Sequence, residues 1–366
     1  MVNLSVELDS AEIFEWLRMV SPRRVLIQSP LGLRGMAEQL DRMVRQTGVE
    51  AIISSSPTWG GCDIAIEEAR RVGADAIIHV GHAPFLSHTE LPVLYVEARY
   101  RDYKPLRDLI SSISTELEKN GYRKVGVGLS VQWLNHLTQF TNDLRAMGYT
   151  VLVGEPGGHL AHRGQVLGCD YTSLKSIESM VDSFLVVGSV FHALGIALTS
   201  QKPTLMVDPH AQRVEWMSER AKRILATRYY MIQKFREARR VAILVSRKPG
   251  QYMMGLAQRL KKIIIDSGRE ASIIMSDEID VNNLADFTYD AYVNTACPRL
   301  SIEDQARFPK PMLLPIEVLV ATNTLSWEEV LERGLLLNTA PPASGPSTYN
   351  PRKFSELTER EYESSP

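Results

Sequence analysis

Asp75-Ala76-Ile77-Ile78-His79-Val80-Gly81, Asp182-Ser183-Phe184-Leu185-Val186-Val187-Gly188 and Asp290-Ala291-Tyr292-Val293-Asn294-Thr295-Ala296 are three versions of one segment. Each runs from an aspartate through a short apolar stretch to a small residue. A continuous apolar run of this length reads as a parallel strand buried on both faces. Upstream of each lies a basic pair leading into another such run: Arg23-Arg24-Val25-Leu26-Ile27, Arg123-Lys124-Val125-Gly126-Val127 and Arg239-Arg240-Val241-Ala242-Ile243. Between the two come an amphipathic stretch, a glycine (Gly48, Gly148, Gly268) placed as a helix C-cap, and a second strand over 50–54, 150–153 and 271–275. A fourth apolar run closes each copy, over 92–97, 203–208 and 311–317. Helical stretches over 11–19, 106–119 and 218–236 lead into the copies.

Strands alternating with helices predict small parallel sheets with right-handed crossovers. The expected fold is α/β, three repeated units around a central cleft with pseudo-threefold symmetry. The expected domains are 1–103, 104–215 and 216–325, followed by a C-terminal helix and flexible tail over 326–366. Pro341-Pro342-Ala343-Ser344-Gly345-Pro346 suits such a tail.

The chain has 366 residues and a net charge of −2, which gives no basic footprint for nucleic acid. No apolar run approaches the roughly 18 residues a membrane span needs. The N-terminus shows no secretory pattern, so a cytoplasmic location is expected. The only cysteines are Cys62, Cys169 and Cys297, one per unit and more than a hundred positions apart, which is no disulfide framework.

Cys62 and Cys169 follow second strands within the same tripeptide, Gly61-Cys62-Asp63 and Gly168-Cys169-Asp170, and each is expected to open a helix whose N-terminus lowers the thiol pKa. Cys297 follows a third strand. All three thus lie at the carboxyl ends of strands, where open α/β sheets bind ligands. If the three edges face one another, the sulfurs converge and can hold zinc or an iron–sulfur cluster. Zinc usually announces itself by paired C-x-x-C spacing, absent here, whereas thiolates suit iron–sulfur clusters. Three ligands on a four-iron cluster leave one iron open.

Several motifs carry a family resemblance. Tyr289 to Ile302, containing Ala296-Cys297-Pro298-Arg299-Leu300-Ser301, resembles the third-domain signature of the 2-(3-amino-3-carboxypropyl)histidine synthases, which begin diphthamide synthesis in archaea and eukaryotes. Pro57 to Asp63, His79-Val80-Gly81-His82, Gly168-Cys169-Asp170, Phe191-His192-Ala193-Leu194-Gly195 and Gln28 to Leu33 are similar to its other motifs. Leu31 stands where that family has an acidic residue, and its glycine-rich loop is reduced to Arg247-Lys248-Pro249-Gly250-Gln251.

The resemblance implies that Cys62, Cys169 and Cys297 hold a 4Fe-4S cluster. It further implies that S-adenosylmethionine is cleaved to methylthioadenosine and a 3-amino-3-carboxypropyl radical, which adds to a histidine imidazole carbon on elongation factor 2. Gln28, Gly32, Gly81, His82, Gly188 and Arg299 are the expected contacts to that substrate. A homodimer and a separate electron donor are implied as well. A bland role stands beside each of these: a turn for the glycines, a hydrogen-bonded loop for His82 and His192, an inter-unit ion pair for Arg299. Packing is expected for Trp59, and solvent for His159, His162 and His210. A quinolinate-synthase-like dehydratase and a non-catalytic metal-binding scaffold are the alternative functions.

Overall fold

The computed structural model describes residues 8–335. The tail expected beyond them lies outside the described residues.

Three sheets follow one another along the chain. The first holds β1 (Arg24–Gln28), β2 (Glu50–Ile53), β3 (Ala76–Val80) and β4 (Val93–Val96). The second holds β5 (Lys124–Leu129), β6 (Thr150–Leu152), β7 (Ser183–Val187), β8 (Thr204–Asp208) and β9 (Arg213–Trp216). The third holds β10 (Arg240–Ser246), β11 (Glu270–Ser276), β12 (Ala291–Asn294) and β13 (Met312–Leu313). Their orders are β2-β1-β3-β4, β6-β5-β7-β8-β9 and β11-β10-β12-β13, so the first strand of each copy lies between its second and third. Every pairing is parallel except β8 with β9.

The repeated aspartate and basic pair have a common cause. Asp75 Oδ2 accepts the backbone N–H groups of Arg23 (2.8 Å) and Arg24 (3.2 Å). Asp182 and Asp290 bind the N–H groups of Arg123 and Lys124, and of Arg239 and Arg240, in the same way. The aspartate thus ties the start of the third strand to the start of the first. The capping glycines have equally local causes. Gly48, Gly148 and Gly268 adopt φ of +84°, +89° and +84°, and a Cβ on any of them would meet nothing within 4 Å, so backbone conformation alone selects glycine.

Alternate strand residues fill opposite faces. Val25 and Ile27 pack with Ile13, Leu17, Leu40 and Val44, whereas Leu26 and Ile77 pack with Ile64 and Ala69 across the sheet. Burying one such side chain contributes about 1.5–3 kcal/mol. One core runs unbroken from Phe184 and Val186 of the second sheet, through Ile232 and Phe235 of the helix Ser218–Arg236, to Val241 and Ile243 of the third.

Two local expectations are corrected, and one strand is additional. The run over 311–317 yields only a two-residue strand, because Pro315 opens the helix Pro315–Ala321. The helical stretch over 106–119 is broken at Asp108 and Leu109, giving Lys104–Arg107 and Ile110–Lys119. The edge strand β9 was not anticipated; it is short and only half-buried, which leaves no apolar run to read.

Candidate metal centre and its surroundings

Cys62 and Cys169 lie in the loops leaving β2 and β6, and Cys297 lies three residues past β12, so all three occupy carboxyl edges of their sheets. The glycine before each of the first two is required by crowding. A Cβ on Gly61 would stand 2.5 Å from the Ala83 carbonyl oxygen, and one on Gly168 would enter the Phe191 ring. The aspartate after each braces its loop. Asp63 Oδ2 accepts the Trp59 backbone N–H (3.2 Å), and Asp170 accepts the N–H groups of His159 (2.7 Å) and Thr172 (3.0 Å).

No cysteine opens a helix directly. The helices Ile66–Arg71 and Thr172–Lys175 begin four and three residues later. The expected lowering of the thiol pKa is reversed. Burial pushes Cys62 up to about 12, although the Gln251 amide pulls the other way. Cys169 is pushed well up by burial and then by the charges of Cys297 and Cys62. Burial raises Cys297 too, against the opposing Arg299 backbone N–H. With no helix end at the sulfur, desolvation of the thiolate sets the direction. Direct contacts link the cysteine-bearing loops to other sheets: the Gly250 N–H of the third unit donates to the Cys62 carbonyl (2.8 Å), and Arg299, two residues past Cys297, lies over the Phe191 ring that crowds Gly168 beside Cys169. Yet among the described residues no three His, Cys, Asp or Glu side chains are grouped so as to hold a single metal ion.

The comparisons with known proteins decide the lineage. The family model for diphthamide synthesis proteins matches residues 29–332. The chain belongs to the diphthamide synthesis protein family. It is 34% identical over 315 residues to the 2-(3-amino-3-carboxypropyl)histidine synthase of Pyrococcus horikoshii, covering 85% of this chain and 89% of that one. Subunit 1 of the Schizosaccharomyces pombe 2-(3-amino-3-carboxypropyl)histidine synthase is 28% identical over 327 residues, covering 86% and 73%. The crystal structure of Dph2 from Pyrococcus horikoshii with a 4Fe-4S cluster superposes with a TM-score of 0.82 at 30% identity, covering 94% of this chain and 98% of that one. The α/β architecture is therefore that of the diphthamide synthesis family.

Gln28 is buried at the end of β1 with both ends of its amide engaged by the Cys62 loop: Nε2 donates to the Asp63 carbonyl (2.9 Å) and Oε1 accepts from Ala65 N–H (2.8 Å). Gly32 sits in the 3-10 turn Leu31–Leu33, where a Cβ would meet nothing within 4 Å. Gly81, at φ +100°, lies against Leu33 and Pro30; Gly188, at φ +155°, lies against His192. His82 shares a 2.9 Å hydrogen bond with the buried His79, and burial lowers it to about 4, so both rings are neutral at pH 7. Arg299 pairs with Glu303 of its own helix (2.6 Å) and lies over the Phe191 ring at 5.3 Å. Its contact across units is therefore cation–π, not an ion pair.

Four other readings change. His192 is in the first turn of the helix Val190–Thr199, in a capping box with Ser189, rather than in a loop. Trp59 is 63% exposed, its indole N–H directed at Glu278 rather than packed. His159 stacks on Phe85 at 4.0 Å and His162 binds Glu97 at 2.5 Å, so these two join the first and second units instead of facing solvent. His210 is exposed, but its ring edge meets Tyr100 at 4.8 Å.

A junction that the sequence did not reveal closes the site. Lys248 Nζ reaches Asp63 (3.1 Å) and Glu278 (2.5 Å), tying the Cys62 loop to the third unit. Its members are 185 and 30 positions apart, and only the folded register brings them together.

Proposed function

We propose that this chain transfers the 3-amino-3-carboxypropyl group of S-adenosylmethionine to an imidazole carbon of a histidine on elongation factor 2, releasing methylthioadenosine. The observation that carries the reading is that the three cysteines, each on a loop at the carboxyl edge of a different sheet, occur in a chain of this family. Their chemistry fits a 4Fe-4S cluster. Burial disfavours a bare thiolate at all three positions, so these thiols deprotonate readily only where a bound cationic group takes the charge. Cys62, Cys169 and Cys297 would hold it. When bound, the cluster supplies the single electron that cleaves the bond between sulfur and the methionine side-chain carbon.

The rest of the work belongs to this chain's residues. Gln28 shapes the Cys62 loop from behind. Gly32 leaves open space, whereas Gly81 and Gly188 let Pro30, Leu33 and His192 pack against their strand ends and so shape the surrounding loops. Neutral His82 and the Arg299 guanidinium present a hydrogen-bonding group and a positive charge to a substrate bearing a carboxylate. The protein acts as a cytoplasmic homodimer fed by a separate electron donor. In the described residues no helix is long and apolar enough to cross a membrane.

Anaerobic purification with iron and sulfide assays tests the reading. About four irons per chain are expected, lost on substitution of Cys62, Cys169 or Cys297 by alanine, together with methylthioadenosine formation from S-adenosylmethionine under reduction. Bound zinc, or iron indifferent to all three substitutions, overturns it.

A further inference from the structure

One short segment of the third unit grips Cys62 at two points. The Gly250 backbone N–H donates to the Cys62 carbonyl at 2.8 Å, and the Gln251 amide Nε2 donates to Cys62 Sγ at 3.3 Å. The grip has no slack, since a Cβ on Gly250 would stand 2.6 Å from Cys62 Cβ. Gln251 is itself buried, at 9% exposure, and its own N–H is tied to the Lys248 carbonyl at 2.9 Å. Among the described residues, no side-chain hydrogen bond reaches the sulfur of Cys169 or Cys297, so this amide donor is particular to Cys62.

A hydrogen bond to a ligating sulfur draws electron density from it, which favours the reduced cluster and raises its potential. An amide side chain brought from nearly 190 residues away and buried against one ligand is built for this effect. We propose that Gln251 is a positioning residue that tunes the cluster through Cys62 Sγ, making one ligand of the three a poorer electron donor than the others. This rests on the reading of Cys62 as a cluster ligand.

The test uses Gln251→Leu and Gln251→Glu in the full chain, reconstituted anaerobically. Iron per chain is measured beside a redox titration followed by electron paramagnetic resonance. Leucine removes the donor, and glutamate replaces it with a charged acceptor. Both variants are expected to keep wild-type iron and to titrate at a more negative potential, and a variant that keeps its iron decides the matter. An unchanged midpoint with full iron overturns the inference. So does loss of iron from both variants, which would make the amide a structural prop. Full iron in Cys62→Ala is a separate result and sinks the underlying reading instead.

Discussion

The Asp182 carboxylate holds the backbone N–H of Lys124 at 2.7 Å, where the first and third strands of the second sheet begin side by side. The first and third sheets repeat the contact through Asp75 and Asp290. All three carboxyls lie below the usual aspartate range. The cause for Asp75 is the N–H groups of Arg23 and then Arg24; for Asp182, Lys124 and then Arg123; for Asp290, Arg240 and then Arg239.

A carboxylate whose folded pKa is depressed contributes stability that is complete above its unfolded value, about 3.9, and is lost as pH falls through the folded value. The triple variant Asp75→Asn, Asp182→Asn, Asp290→Asn should therefore be less stable than wild type at pH 7 and should lose less on acidification below pH 4. Urea unfolding at a series of pH values checks this. Parallel acid slopes for the two proteins would refute it.

Arg228 and Glu317 form a fully buried pair, at 1% and 0% side-chain exposure, that fastens the helix Ser218–Arg236 to the helix Pro315–Ala321. Arg228 also satisfies the carbonyls of Ser301 (2.8 Å) and Met312 (2.6 Å), and Glu317 caps Leu314 N–H (2.7 Å). Replacing one partner alone, as in Glu317→Leu, leaves a charge buried and should cost about 3–5 kcal/mol in chemical denaturation. A loss under about 1 kcal/mol would mean that water reaches the site.

Two glycines should separate cleanly. Gly168→Ala drives a methyl into Phe191, over which Arg299 lies, and should cost about 1–3 kcal/mol with reduced iron binding. Gly32→Ala has free space and should change stability by no more than about 0.5 kcal/mol. Any change in S-adenosylmethionine affinity caused by that methyl then reports contact with the substrate. Calorimetry of both variants gives the comparison.

Lys248→Met removes the tie between Asp63 and Glu278 and leaves the buried Asp63 without its cation. Hydrogen exchange should quicken around residues 57–63 and 276–278 while the second sheet is unaffected. Uniform protection would show that the junction does not hold the loop.

Much of this was legible in the chain. Short apolar runs, capping glycines and the aspartate before each third strand are local signals, and they located twelve of the thirteen strands among the described residues. The misreadings arise where a residue's surroundings come from another unit. Nothing local shows that His159 will lie on Phe85, or that Trp59 will face Glu278. The Val190–Thr199 helix hid for another reason. Ala193, Leu194, Ile196 and Leu198 make it apolar on most sides, so no polar face marks its period. At the cysteines the helix-end argument failed because the helices begin three and four residues later, and burial, which no local pattern shows, sets the direction of the shift.

Gln28 supports the Cys62 loop from its own sheet, and Gly250 and Gln251 complete it from the last sheet. A ribosome delivers these pieces in order. For the time it takes to make nearly 190 further residues, the newborn loop has its backing and lacks its cover. Through that interval the thiol lacks the amide of Gln251, and its pocket is complete only once the third sheet has folded against the first.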